Sequence, residues 1–150
     1  MTVKYATFTL DRGYAAAPAR VFAAWADPAT KARWFAGPAG EHELDFRVGG
    51  REISRGRHGD GPLLTFESRY HDIVPDERIV CSSTMSAADT VTTVSITTVE
   101  FVPDGTGTRL VLTQQGTYLD GHEEPEWREQ GTSDQLAALA TELGVAVTVR

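Results

Sequence analysis

Cysteine is almost absent from this 150-residue chain: Cys81 stands alone, so no internal disulfide can brace the fold. It lies in a strand-like run with no histidine beside it, which fits a small buried hydrophobe better than a nucleophile. No stretch approaches the roughly 18 apolar residues of a membrane span. Met1 leads into no basic region followed by an apolar one, so a secretory signal is not expected and the cytoplasm is. Basic residues are outnumbered, 14 Lys and Arg against 21 Asp and Glu, for a formal net charge of −7. That balance, without clustered Lys or Arg, excludes a phosphate-binding surface of the kind nucleic acids need.

Catalytic and metal signatures are missing as well. His42, His58, His71 and His122 fall in separate segments with no His-x-His or His-Glu-x-x-His spacing, so no metal site is expected. His71-Asp72 is the most suggestive pair, but neighbours on a strand point to opposite faces, and a surface histidine is the simpler reading. No Gly-x-Ser-x-Gly elbow occurs, and Gly105-Thr106-Gly107 joins two strands, which makes it a hairpin turn and not a phosphate loop.

What is present is a globular composition, 41% hydrophobic, in a chain long enough to bury about 70% of its unfolded surface in one domain spanning residues 1–150. From Tyr5 to Tyr14 the residues alternate, with Phe8, Leu10, Arg12 and Tyr14 on one face, so a strand is predicted with an arginine in its inward row. Pro18 opens a short helix carrying Val21, Phe22 and Trp25, and Asp27-Pro28 ends it while capping a second through Trp34-Phe35. Alternation returns from Glu41 to Val48, where Gly49-Gly50 predicts a tight hairpin into the strand Arg51 to Arg57. After the glycine-rich loop Gly56 to Pro62, strands are predicted at Leu63 to Val74, Arg78 to Met85, Thr90 to Val102 and Thr108 to Thr117, divided by turn compositions. The last segment, about Glu124 to Leu143, sets Thr132, Leu136, Leu139 and Leu143 on one helical stripe, with Gly144 as its stop and a loosely ordered tail beyond. The acidic run Glu123 to Glu129 reads as the solvated first turn of that helix.

This order gives an α+β chain in which a seven-stranded curved antiparallel sheet wraps the long C-terminal helix, two short helices lying between strands one and two. A twisted sheet cannot touch one helix along its whole length, so space remains where inward side chains are small, as at Ser68, Cys81, Ser83 and Gly131. Arg12, Glu52 and Gln114 are the polar residues expected to face that space, either orienting a ligand or pairing structurally, with Arg12 bonded to Glu52 or Gln114. Trp34, Phe46, Phe66, Tyr70, Cys81, Ser83, Thr132 and Leu136 complete the expected lining. Trp25 and Trp127 read as core or rim packing, and Tyr118 as a wall residue or a hydroxyl for a ligand.

The chain resembles the START-like, or SRPBCC, superfamily in the branch named for the activator of Hsp90 ATPase homologue. The residues carrying this are Arg12, Pro18 with Val21-Phe22-Ala23-Ala24-Trp25, Asp27-Pro28 with Trp34-Phe35, and Asp45-Phe46-Arg47-Val48-Gly49-Gly50-Arg51. Further matches are Tyr70 to Pro75, Glu77 to Val80, Gly107 to Leu110, and Gly131-Thr132 before Leu136. The resemblance implies a helix-grip fold and a pocket before it implies chemistry. Close relatives often carry an acid just before the Gln-Gly pair, where this chain has Gln114. The expected function is binding of a small hydrophobic ligand without cofactor or required catalysis. A polyketide cyclase/aromatase-like enzyme moving protons with Arg12, Glu52 or Tyr70 is the alternative, and a co-chaperone-like interaction module the second. No nucleic-acid or membrane partner is expected, and a homodimer is left open.

Overall fold

A computed structural model describes residues 1–37 and 40–150. Twelve alternating residues make β1 (Val3–Tyr14), after which Pro18 starts α1 (Pro18–Ala26) with its fixed φ. The Asp27 carboxylate then accepts from the Thr30 amide at 3.0 Å and caps α2 (Pro28–Lys31). A wider π-helical turn continues α2 over Ala32–Ala36. The strands β2 (Glu41–Leu44), β3 (Arg51–Gly56), β4 (Leu64–Val74), β5 (Arg78–Ala87), β6 (Thr90–Asp104) and β7 (Gly107–Leu119) follow, then α3 (Pro125–Leu143) and β8 (Val147–Val149).

All neighbours pair antiparallel in the order β2-β3-β4-β5-β6-β7-β1-β8. The curved sheet is therefore eight-stranded, not seven-stranded. The tail expected to be loose supplies the extra strand: Val147 and Val149 pair opposite Tyr14 and Arg12 on the free side of β1. Gly144 makes this return feasible, because its φ of 67° ends α3 in a left-handed conformation that costs other residues more.

The tight hairpin expected at Gly49-Gly50 is also replaced. β2 ends at Leu44, and residues 45–50 fold into a compact loop in which the Gly50 amide donates to Arg47 O at 2.7 Å. A Cβ at Gly50 would meet the Asp45 carbonyl oxygen at 2.0 Å, so only glycine closes the loop. Val48 consequently points to solvent, while Phe46 packs edge-on between Phe22 (5.7 Å) and Tyr70 (5.1 Å).

The stripe Thr132, Leu136, Leu139 and Leu143 of α3 is buried against the sheet as its spacing requires. Around it, Phe22, Trp25, Trp34 and Phe101 interlock edge to face, with Trp25 and Trp34 centroids 4.8 Å apart. The aromatic core therefore sits under α1 and the π turn, and the sheet beyond it is left open.

Candidate functional site

Cross-strand register decides where the sheet leaves room. Glu52, Ser68, Ser83, Ser95 and Gly116 lie opposite one another on consecutive strands, a row that is mostly serine and glycine. The next row holds Tyr70, Cys81, Thr97 and Gln114. Paired residues share a face, so the short side chains of Ser68, Cys81 and Thr97 lie close together beneath α3 and leave space there. The result is a cavity of about 640 Å³ walled by β3 to β7, α3 and the π turn. Among its lining residues, Arg57, His58 and the 63% exposed Trp127 reach solvent.

At the inner end, the Lys31 ammonium, on a residue only 3% exposed, donates to Glu52 Oε1 at 2.7 Å and to the Tyr70 hydroxyl at 3.2 Å. The Tyr70 hydroxyl in turn donates to Glu52 Oε1 at 2.7 Å. His42 Nε2 lies 2.7 Å from Glu52 Oε2, and an ionised carboxylate only accepts, so this nitrogen carries the hydrogen. Burial opposes ionisation of Glu52, but the Lys31 charge and the bonds from His42, Lys31 and Tyr70 outweigh it and hold the carboxyl down at about 2. Burial and the adjacent Glu52 charge push the Tyr70 hydroxyl well above its ordinary range. The Lys31 ammonium also rests 4.5 Å from the Phe35 ring centre and 5.2 Å from that of Trp25.

A second polar group closes the wall near the start of α3. The buried Arg128 grips Glu123 with Nε at 2.8 Å and Nη2 at 2.7 Å, and its Nη1 donates to Gln114 Oε1 at 3.2 Å. Gln114 Nε2 donates to the Thr97 hydroxyl at 2.9 Å, and the Thr93 hydroxyl donates to Glu123 at 2.5 Å. The guanidinium lies 5.5 Å from the centre of the Phe66 ring.

Of the residues singled out from sequence, Trp34, Glu52, Phe66, Tyr70, Cys81, Gln114, Thr132 and Leu136 line this cavity. Arg12, Phe46 and Ser83 do not. Arg12 is buried on β1, on the other flank of α3, where it donates to the Asp11 carbonyl at 3.0 Å and to the Ser133 hydroxyl at 3.1 Å. The expected bond from Arg12 to Glu52 or Gln114 is therefore absent: the helix passes between them, Lys31 takes Glu52 and Arg128 takes Gln114. Phe46 is core beneath Tyr70, and Ser83 bonds to Ser68 at 2.7 Å. Burial raises the Cys81 thiol to about 11, in keeping with an unreactive wall residue. The Tyr118 hydroxyl is buried away from the cavity, without a partner among the described residues. His71 bonds to Ser82 and Asp72 to Arg78, so that pair is divided between two surface contacts.

Sequence reasoning missed Lys31, His42 and Arg128. Lys31 carries a usable signal, being one turn from Trp34, which the sequence places in the expected lining. Arg128 was hidden in the acidic run taken as solvated, yet Glu123 in that run is half-buried. His42 gives none, because its polar partner among the described residues is on another strand.

The family model "Activator of Hsp90 ATPase homolog 1-like protein" matches residues 15–144. Among solved structures, the Mll3558 protein of Rhizobium loti is 46% identical, with a TM-score of 0.89 over 95% of this chain and 99% of that one. An uncharacterized protein of Rhizobium leguminosarum is 37% identical, with a TM-score of 0.91 over 95% and 97% of the two chains. The CV1439 protein of Chromobacterium violaceum is 29% identical, with a TM-score of 0.77 over 90% and 94%. No curated protein matches the chain.

Proposed function

Since the chain belongs to the activator of Hsp90 ATPase homolog 1-like family, a family whose fold here encloses a cavity, we propose that it binds a small hydrophobic or amphipathic molecule between the sheet and α3. The observation that carries this reading is the cavity itself. Its volume of about 640 Å³ falls within the roughly 300–1,000 Å³ of small-molecule sites, and its walls combine aromatic and aliphatic side chains with a few fixed polar groups. Trp34, Phe66, Tyr70 and Leu136 supply apolar contact, while Gln114 and Thr132 stand among them as polar points. Glu52 and Cys81 complete the ligand-binding set we assign.

The polar groups support binding over proton transfer. Glu52 accepts from three side chains at once and stays ionised far below neutral pH, which makes it a weak base. The Tyr70 proton is held toward Glu52, so neither group is poised near the working pH as an acid–base catalyst would be.

Gly131 gives a direct test. It lines the cavity on α3, and a Cβ built on it meets nothing within 4 Å. Gly131→Phe therefore places a ring in the open space and recovers part of the roughly 1 kcal/mol by which a mid-helix glycine falls below alanine. Titration with the neutral fluorophore N-phenyl-1-naphthylamine is expected to saturate on the parent protein. Gly131→Phe is expected to weaken this at least about tenfold while unfolding at the same temperature or higher. Equal binding by both proteins would place the probe outside the cavity and remove the proposal.

A further inference from the structure

One side of the sheet is open, and β8 covers it only in part. β1 pairs with β7 along all 12 of its residues in unbroken register, while β8 meets only Arg12–Tyr14 on the other side. The Arg150 amide donates to Asp11 O at 2.9 Å, so Asp11 turns its backbone groups away from β7. Alternation along an antiparallel strand gives Thr9, Thr7, Tyr5 and Val3 the same direction. Each therefore points one N–H and one C=O outward, and no group among the described residues meets them. Sheets ordinarily guard such an edge with proline, a bulge or charged side chains. Val3 to Leu10 holds no proline, and its one charge, on Lys4, is tied to Glu124 at 2.8 Å. Tyr5, 80% exposed, and Val3, 51% exposed, leave apolar surface in solvent along the same edge.

We propose that the open stretch Val3 to Thr9 pairs antiparallel with the same stretch of a second copy, joining two sheets edge to edge about a twofold axis at Ala6. This goes beyond the reading of the cavity and does not depend on it. The register follows from which groups are free. With Ala6 facing Ala6, Val3 lies opposite Thr9 and Tyr5 opposite Thr7 of the second copy, so all four outward-facing residues exchange backbone bonds. Centring the pair on Thr7 would set Val3 against Asp11, whose carbonyl is already taken by Arg150. The axis also falls on the smallest side chain of the stretch, so no bulky pair holds the two backbones apart. Charge favours a second copy as the occupant. Two chains of net charge −7 repel over most of their surfaces, but the outer face beside this edge is uncharged. There Tyr5, Thr7 and Thr9 stand in rows with Thr117, Gln115 and Thr113 on β7 and with Val94, Ile96 and Thr98 on β6. On the inner face, Lys4 of the second copy falls opposite Phe8 and beside Leu10. Leu10 borders a small pocket with Glu126 and Glu129, carboxylates that make no ion pair among the described residues, so twofold symmetry brings a cation toward them twice.

Sedimentation equilibrium of the full chain is expected to show the mass rising from one chain to two, with a midpoint on the order of 10 μM for so small an interface. Two cysteine variants test the register. Ala6→Cys sets its two Cα atoms about 4.5 Å apart across the axis, within disulfide reach, whereas Thr9→Cys separates them by about 20 Å along the strands. Mild oxidation is expected to cross-link Ala6→Cys and not Thr9→Cys, with the parent, which has Cys81 alone, as the blank. Thr7→Pro removes a donor that faces the second copy and none that faces β7, and is expected to weaken dimerisation at least about tenfold with an unchanged far-UV spectrum. A parent that keeps the mass of one chain at about 100 μM would overturn the pairing and leave the edge to an extended segment of another protein. Cross-linking of Thr9→Cys as fast as Ala6→Cys, or a folded Thr7→Pro that dimerises like the parent, would overturn it too. Should the proline variant unfold, the two cysteine variants decide alone.

Discussion

Replacing Glu52 with glutamine would leave the Lys31 ammonium buried without its counter-charge, since no second carboxylate among the described residues contacts it. Breaking such a pair from one side costs about 3–5 kcal/mol, because the remaining charge keeps its desolvation penalty and loses its attraction. Glu52→Gln is therefore expected to lower the denaturant midpoint sharply, and Lys31→Met/Glu52→Gln together to recover most of the loss. A double variant as unstable as the single one would mean that the pair is not the source of the effect. Arg12 shows how far one residue's pattern can mislead. Its inward position was legible from the two-residue period, and burial on β1 agrees, but the period says nothing about which flank of α3 it meets. Lys31 and Arg128 were hidden for the opposite reason: each is charged and sits in a helix, where the default for such a residue is solvent.

Elements were easier to read than partners. The strands from β4 to β7 and the helix α3 fall where alternation and the 3.6-residue stripe place them, since each pattern is a local property of one segment. The segment Val147–Val149 was not legible as a strand, because three residues carry too little period and their stability comes wholly from β1. That dependence can be measured. Removing residues 145–150 would strip the ladder from Arg12–Tyr14, along with the bond from Ala15 N to Ala146 O at 3.2 Å, and expose β1 as a bare edge. The truncated protein is expected to unfold at lower temperature and to scatter more light on heating than the full chain. Unchanged behaviour in both would make β8 a passive decoration of the sheet.

At the scale of the whole molecule, acid is the condition that bears on the site. Glu52 is held at about 2 in the fold against an ordinary value of 4.5, so its contribution is complete above 4.5 and drains away as the pH falls toward 2. Over that range the parent is expected to lose on the order of 3 kcal/mol more stability than Lys31→Met/Glu52→Gln, read from denaturant unfolding at stepped pH. Parallel curves for the two proteins would refute the assignment. The amino-acid order alone determined that this is an α+β chain with a long terminal helix, because alternation, caps and glycine stops act within a few residues of themselves. It also determined that small side chains would face that helix. Only the tertiary structure decided the eighth strand, the flank on which Arg12 lies and the pairing of Lys31 and His42 with Glu52 and of Arg128 with Glu123 and Gln114. These depend on which elements cross in space, and once strands register beneath a helix, burial makes every charge there find a particular partner.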